Sequence, residues 1–277
     1  MVRTTRNPVR RQADRAGGKP EIADAAEDLT GADISPSGFD RLRRATPARL
    51  GIGHAGPRYP TAALLSFRAD HARAVDAVRN ELPAAWASRH GMLEVGSRAE
   101  SRETYLLRPE LGRRLKAADA ARLKALRPRV AGGVPTVMIC VADGLSGAAV
   151  EEHAPALIRA VRRNLRGRYR ILKPPLLIRN ARVRIQDHLG EIVRPDLTVM
   201  IIGERPGLAS AASLSAYVLW RPRLNSREPD RTVISNIHPG GLRTPQASKK
   251  IARLVEDAIA NRASGAALAA ILASRRS

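Results

Sequence analysis

Aromatic residues are scarce. Phe, Trp and Tyr together make up 3% of 277 residues. The core must therefore be aliphatic, and a single-stranded nucleic acid would find few rings to stack on. Cysteine is nearly absent: Cys140 stands alone. One thiol excludes an internal disulfide and a thiolate metal cluster. Its place in the apolar run "TVMICVA" reads as a small buried residue in a reducing compartment. No apolar run approaches the ~20 residues of a membrane-spanning helix. The basic N-terminus has no apolar stretch behind it, as a secretory signal would. The six histidines at 54, 71, 90, 153, 188 and 238 never share metal-ligand spacing with an acid or with Cys140, so no metal site is expected.

Acidic residues are also in short supply. Asp and Glu number 26 against 48 Lys and Arg, a formal net charge of +22. Nucleic acid, an anionic surface or an acidic protein partner would each account for that excess. So would the drift towards Arg in GC-rich genomes. The run Arg159, Arg162, Arg163, Arg166, Arg168 and Arg170 makes the best case for phosphate contacts. No helix-turn-helix, finger or RNA-recognition signature accompanies it.

What is present falls into three segments. Residues 1–35 mix arginines, glycines and an acidic patch with few large apolar residues, and read as a disordered arm. Residues 36–130 read as helical. "PTAALLSFRADHARAVDAVRNEL" places Leu64, Phe67, His71, Val75, Val78 and Leu82 on one helical face, with Thr61 as its cap and His71 as a core histidine. "RPELGRRLKAADAARLKAL" suggests a further helix, although Arg122 interrupts its stripe. The Pro- and Gly-rich "RPRVAGGVP" marks a linker. Residues 131–277 change texture. "TVMICVA", "PPLLIR", "DLTVMIIG" and "AYVLW" are unbroken apolar runs of strand length, which points to a parallel sheet covered on both faces. Helical patterns alternate with them. The first crossover is expected to break at Pro155. The last helix, "TPQASKKIARLVEDAIA", is capped by Thr244 and buries Ile251, Leu254, Val255, Ala258 and Ile259. The expected fold class is α/β, a Rossmann-like, mostly parallel sheet domain preceded by a helical N-terminal region.

Two tempting motifs fail on context. "GIGHAG" (51–56) matches the dinucleotide pattern letter for letter. That pattern needs a strand before it and a helix starting within it. Pro57 and Pro60 forbid the helix, so a tight turn is expected. "QDHLG" (186–190) misses the spacing of the Asp-x-His-x-x-Gly motif by which a protein histidine replaces the lower ligand of a cobalamin. His188 is expected to be a surface or hydrogen-bonding residue.

One pattern survives. Apolar strands run into "ADGLS" (142–146) and "GERPGL" (203–208), and "SNIHPGG" (235–241) precedes the last helix. Open α/β sheets bind ligands outside the carboxyl ends of their strands, and glycine allows backbone N–H groups close to a ligand. Glu204 and Arg205 would read polar groups on that ligand. Their bland alternative is a local ion pair, with Arg182 as one candidate partner.

At these residues the chain closely resembles the small (light) subunit of ethanolamine ammonia-lyase. The resemblance rests on "GHAGPRYPT", "DHARAVDAV", "YLLRPELGRRL", "ADGLS", "RVRIQDHLGEI", "IGERPGLASAASLSAY" and "DRTVISNIHPGGL", in that order. It implies a subunit of an adenosylcobalamin-dependent lyase that converts ethanolamine to acetaldehyde and ammonia. It implies a large-subunit partner in a hetero-oligomer, a dodecamer of paired subunits, in the bacterial cytoplasm or a bacterial microcompartment. The large subunit carries the catalytic groups and this subunit carries none. The cobalamin lies at the interface and keeps its own base as lower ligand. By motif, Val183, Glu204 and Val233 are the cofactor-contacting positions. Related chains often have Cys where Val233 stands, so contact there must come through backbone or packing. Neither nucleic acid nor membrane is among the partners it implies.

Overall fold

The computed structural model describes residues 36–46, 48–128 and 133–275. The arm assigned to residues 1–35 lies outside them. The described residues fall into two compact units, one ending at Pro60 and one beginning at Thr61.

The first unit holds helix α1 (Pro36–Ala45) and the "GIGHAG" segment. Gly51, Gly53 and Gly56 all have positive φ. Ala55 and Arg58 exchange backbone hydrogen bonds at 2.7 and 3.3 Å, and the His54 and Tyr59 rings stack 5.8 Å apart. This is the tight turn expected from the prolines, and no strand precedes it among the described residues.

The second unit is built on a seven-stranded sheet. The strands are β1 (Leu93–Gly96), β2 (Thr136–Ala142), β3 (Arg170–Ile171), β4 (Leu176–Arg179), β5 (Leu197–Gly203), β6 (Leu214–Trp220) and β7 (Thr232–Ile237), in the order β1-β4-β2-β5-β6-β7, with β3 also paired to β2. β1, β4, β2 and β5 run parallel, whereas β6 is antiparallel to both its neighbours. The fold is the expected α/β class with a mostly parallel sheet. β1, β3 and β7 were not legible: the first two are too short to show a pattern, and β7 alternates exposed and half-buried positions.

β2 and β5 are buried at every position because both faces are covered. One face packs on α6 (Gly147–Leu165) and α8 (Thr244–Asn261) through Val150, Leu157, Val161, Ile251 and Val255. The other packs on α7 (Ile185–Val193) through Ile185, Leu189 and Val193. Fully burying one such aliphatic side chain contributes about 1.5–3 kcal/mol, and these two layers hold the sheet in register.

Five local expectations need correction. α6 runs through Pro155 without a break. The ring removes one donor to the carbonyl of Glu151, four residues back and exposed. Thr244 is the first helical residue of α8, and Arg243 occupies the cap position. The helix α2 (Thr61–Arg79) forms, yet its stripe is not a core face: Leu64, Phe67 and Val75 are 37–41% exposed and only Ala77 is buried. His71 is likewise exposed, stacked on Phe67 at 6.3 Å, and is no core histidine. The expected second helix resolves into short turns with α5 (Ala117–Leu123) among them.

Candidate functional site

The chain leaves β2 for β4 on one side and returns through α7 to β5 on the other. The strand order therefore reverses at β2 and β5, where an open α/β sheet forms its ligand crevice. A hollow of about 400 Å³ lies there. Its lining comes from four places: Gly144 and Leu145 after β2, Arg182 and Val183 after β4, Glu204 and Arg205 after β5, and Ser215 and Tyr217 on β6. Tyr105 closes one side from the short helix α4 (Arg102–Leu107).

The loops are locked by their own backbones. Leu145 N–H donates to the Gly203 carbonyl at 3.0 Å. Gly144 holds φ +58, and a Cβ there would overlap the Gly203 carbonyl oxygen. A Cβ on Gly203 would overlap the carbonyls of Ser146 and Asp143. These glycines were expected to admit a ligand. They instead let the two loops close on each other.

Asp143 fixes the third loop. Its buried carboxylate accepts from the Asn180 and Ala181 N–H groups at 2.9 and 3.3 Å. Burial raises the Asp143 carboxyl, and the Asn180 bond and the Arg102 charge pull it back down. Arg102 ties the Gly144 carbonyl (2.7 Å) to that of Val78 in α2 (2.8 Å). Arg182 lies over the Tyr105 ring at 4.2 Å and donates to the Tyr105 carbonyl. The Tyr105 hydroxyl donates to the Ala181 carbonyl at 3.2 Å, and burial pushes its pKa up to about 12. Tyr105 thus stays protonated at neutral pH.

Glu204 makes no ion pair with Arg182 among the described residues. Its carboxylate accepts from the Ser213 hydroxyl at 2.7 Å, from the Ser215 hydroxyl, and from the Asn236 N–H at 3.4 Å. A carboxylate offers about four lone-pair sites, so one remains for a ligand donor. Burial, then the Glu204 charge, raises the Tyr217 hydroxyl. Arg205 is exposed and without an ion pair among the described residues.

Of the sequence-derived site residues, Val183 and Glu204 meet in this hollow. Val233 lies beside it, opposite Tyr217 in the β6–β7 ladder and 47% exposed. "SNIHPGG" reaches the site through Asn236. Tyr105, Ser213, Ser215 and Tyr217 were missed. Ser213, Ser215 and Tyr217 carried a signal, because alternate residues at the head of a strand share one face. His188 is a hydrogen-bonding histidine, accepting from the Leu115 N–H at 3.0 Å. No group of His, Cys, Asp and Glu among the described residues could hold a metal ion. No described helix is long and apolar enough to cross a membrane.

A mostly parallel sheet of this order, with a hollow at its switch point, places the chain among the open α/β folds. The family model described as "Ethanolamine ammonia-lyase light chain (EutC)" matches residues 36–269. The chain belongs to that family. It is a lyase subunit that acts with a large subunit, in a family generally dependent on adenosylcobalamin.

Proposed function

We propose that this chain holds one side of adenosylcobalamin in the switch-point hollow while the large subunit closes over the other. The observation that supports it most is the convergence of Val183 and Glu204, from separate motifs, on one cavity. A hollow of about 400 Å³ takes only an edge of so large a ligand. A partner must finish the site, and the chain near its lining leaves apolar side chains uncovered: Leu107 is 72%, Val233 47% and Leu208 39% exposed.

The residues fit a cofactor rich in amide and hydroxyl groups. Glu204 accepts one ligand N–H or O–H through its remaining lone pair, oriented by Ser213 and Ser215. Val183 offers backbone and apolar surface. Arg205 and the outer nitrogens of Arg182 donate to carbonyl or phosphate oxygens. The bound cofactor supplies the cobalt–carbon bond on which the ethanolamine-to-acetaldehyde chemistry depends. This chain orients the cofactor, keeps water from that side and moves no proton. Catalytic groups lie on the large subunit. His188 is engaged with the Leu115 N–H outside the hollow and would not be a ligand to a cofactor held there.

Difference-spectral titration of the complex co-purified with its large subunit tests this. Glu204→Ala should weaken adenosylcobalamin binding about tenfold, or ~1.4 kcal/mol. Glu204→Gln, which keeps an acceptor oxygen, should fall between. Equal affinities for all three proteins would remove Glu204 from the site.

A further inference from the structure

A larger hollow, of about 650 Å³, lies at the opposite end of the sheet. It is framed by the starts of β2 and β5, the end of β6 and the last turns of α7 and α8. Arg170, Arg194, Arg221 and Arg262 line it, with Asp196 and Trp220. We propose that this hollow binds an oligophosphate, of the kind carried by a nucleoside triphosphate.

Four arginines line this space against a single carboxylate, that of Asp196. The Asp196 Oδ2 accepts from both the N–H and the hydroxyl of Thr136 at 2.8 Å, which holds that carboxylate in place while its charge offsets one of the four. Arg194 reaches Glu191 only at 3.9 Å, in an exposed pair of the kind that contributes little. Arg170, Arg221 and Arg262 have no ion-pair partner among the described residues. The ends of α7 and α8 present carbonyl dipoles equivalent to about half a charge each. That offsets only part of the excess, and a multiply charged oxyanion would complete it.

The arginines also occupy costly positions. Five non-glycine residues among those described have positive φ: Asn180, Arg194, Arg221, Asn236 and Arg262. Asparagine tolerates that conformation. The three that do not all line this hollow. Arg194 and Arg262 cap α7 and α8 in the left-handed region, where glycine is the unstrained choice. A general drift towards arginine explains the count of 48 Lys and Arg. It does not explain arginine at three sites whose backbone favours glycine, gathered around one cavity. Outliers gathered at one cavity are a starting point for a functional reading of their side chains.

Trp220 and Ile259 give the hollow an apolar wall. The Arg221 guanidinium lies over the Trp220 ring, 5.3 Å from its centroid, so cation and ring are held together at one edge of the hollow. This hollow shares no lining residue with the one at the other end of the sheet, and the inference stands apart from the cobalamin proposal.

The test is isothermal titration of the complex of full chain and large subunit with ATP and, separately, with inorganic tripolyphosphate. A triple variant, R194G/R221G/R262G, serves as comparison. Glycine relieves the left-handed strain while loosening the unfolded chain, so the variant should fold with a similar Tm. Both ligands should bind the wild type, more weakly as salt rises, and the variant's affinity should be at least about tenfold lower. ATP tighter than tripolyphosphate supports the Trp220 wall, and equal affinity overturns that part. No saturable binding, or equal binding by wild type and variant, overturns the site itself.

Discussion

The two ends of this sheet are finished by opposite means. At the carboxyl ends of β2 and β5, loops close on one another so tightly that Gly144 and Gly203 leave no room for a Cβ. Polar groups there are mostly engaged with the protein itself: Asp143 with two backbone N–H groups, and Glu204 with two serines and Asn236, which leaves Glu204 one lone pair. At the other end, arginines take the glycine-favouring backbone positions and hold charge that nearby groups balance only in part. The first end is organised before any ligand arrives, and the second is organised for one. Pre-organisation is read from saturated hydrogen bonds, and unmet binding capacity from unsaturated charge.

The largest effect should come from forcing a Cβ into the closed end. Gly203→Ala should destabilise the chain by ~3 kcal/mol or more, because the obstructing atoms are backbone carbonyls that cannot rotate away. Arg221→Gly should be near neutral. Thermal unfolding of the two variants checks this, and equal shifts would break the comparison. Next, Glu204→Ala should cut cobalamin affinity and leave ATP affinity unchanged. Arg262→Gly should do the reverse, with both read on the complex. Smaller still, Tyr105→Phe removes the hydroxyl donation to Ala181 and should cost about 1 kcal/mol in denaturant unfolding.

The smallest effect lies in pH. Burial, then Arg114 and Arg98, hold the His188 imidazole below the ordinary histidine range. The folded chain therefore binds that proton less well than the unfolded chain. The His188 contribution is full above about pH 6.5 and is lost as pH falls below that. Acidification from about pH 7.5 to 5.5 should lower Tm modestly. His188→Asn, which keeps an acceptor for Leu115 and does not titrate, should flatten that share of the slope.

The central strands were legible because β2 and β5, buried on both faces, must be written as unbroken apolar runs. "TVMICVA" is β2 residue for residue. β1 was not legible, since four residues set among helices carry no periodicity, and its pairing with β4 is decided by tertiary contact alone. The mouth of the hollow was readable from Gly and charge following apolar runs. The partners of Glu204 were not, because Ser213 and Ser215 matter only once β6 turns antiparallel and brings its first residues back to the end of β5. "GIGHAG" and "ADGLS" teach the same point from the other side. Both carry glycine at positive φ, but at Gly53 a Cβ would meet nothing, whereas at Gly144 it would meet backbone. Letters alone do not distinguish those cases.

The most direct measurement is the cobalt anomalous-scattering map of crystals of the co-expressed complex grown with adenosylcobalamin. A cobalt peak facing the hollow, with Glu204 and Val183 against the corrin edge, is the result predicted here. Cobalt elsewhere, with that hollow filled by large-subunit side chains, would contradict it.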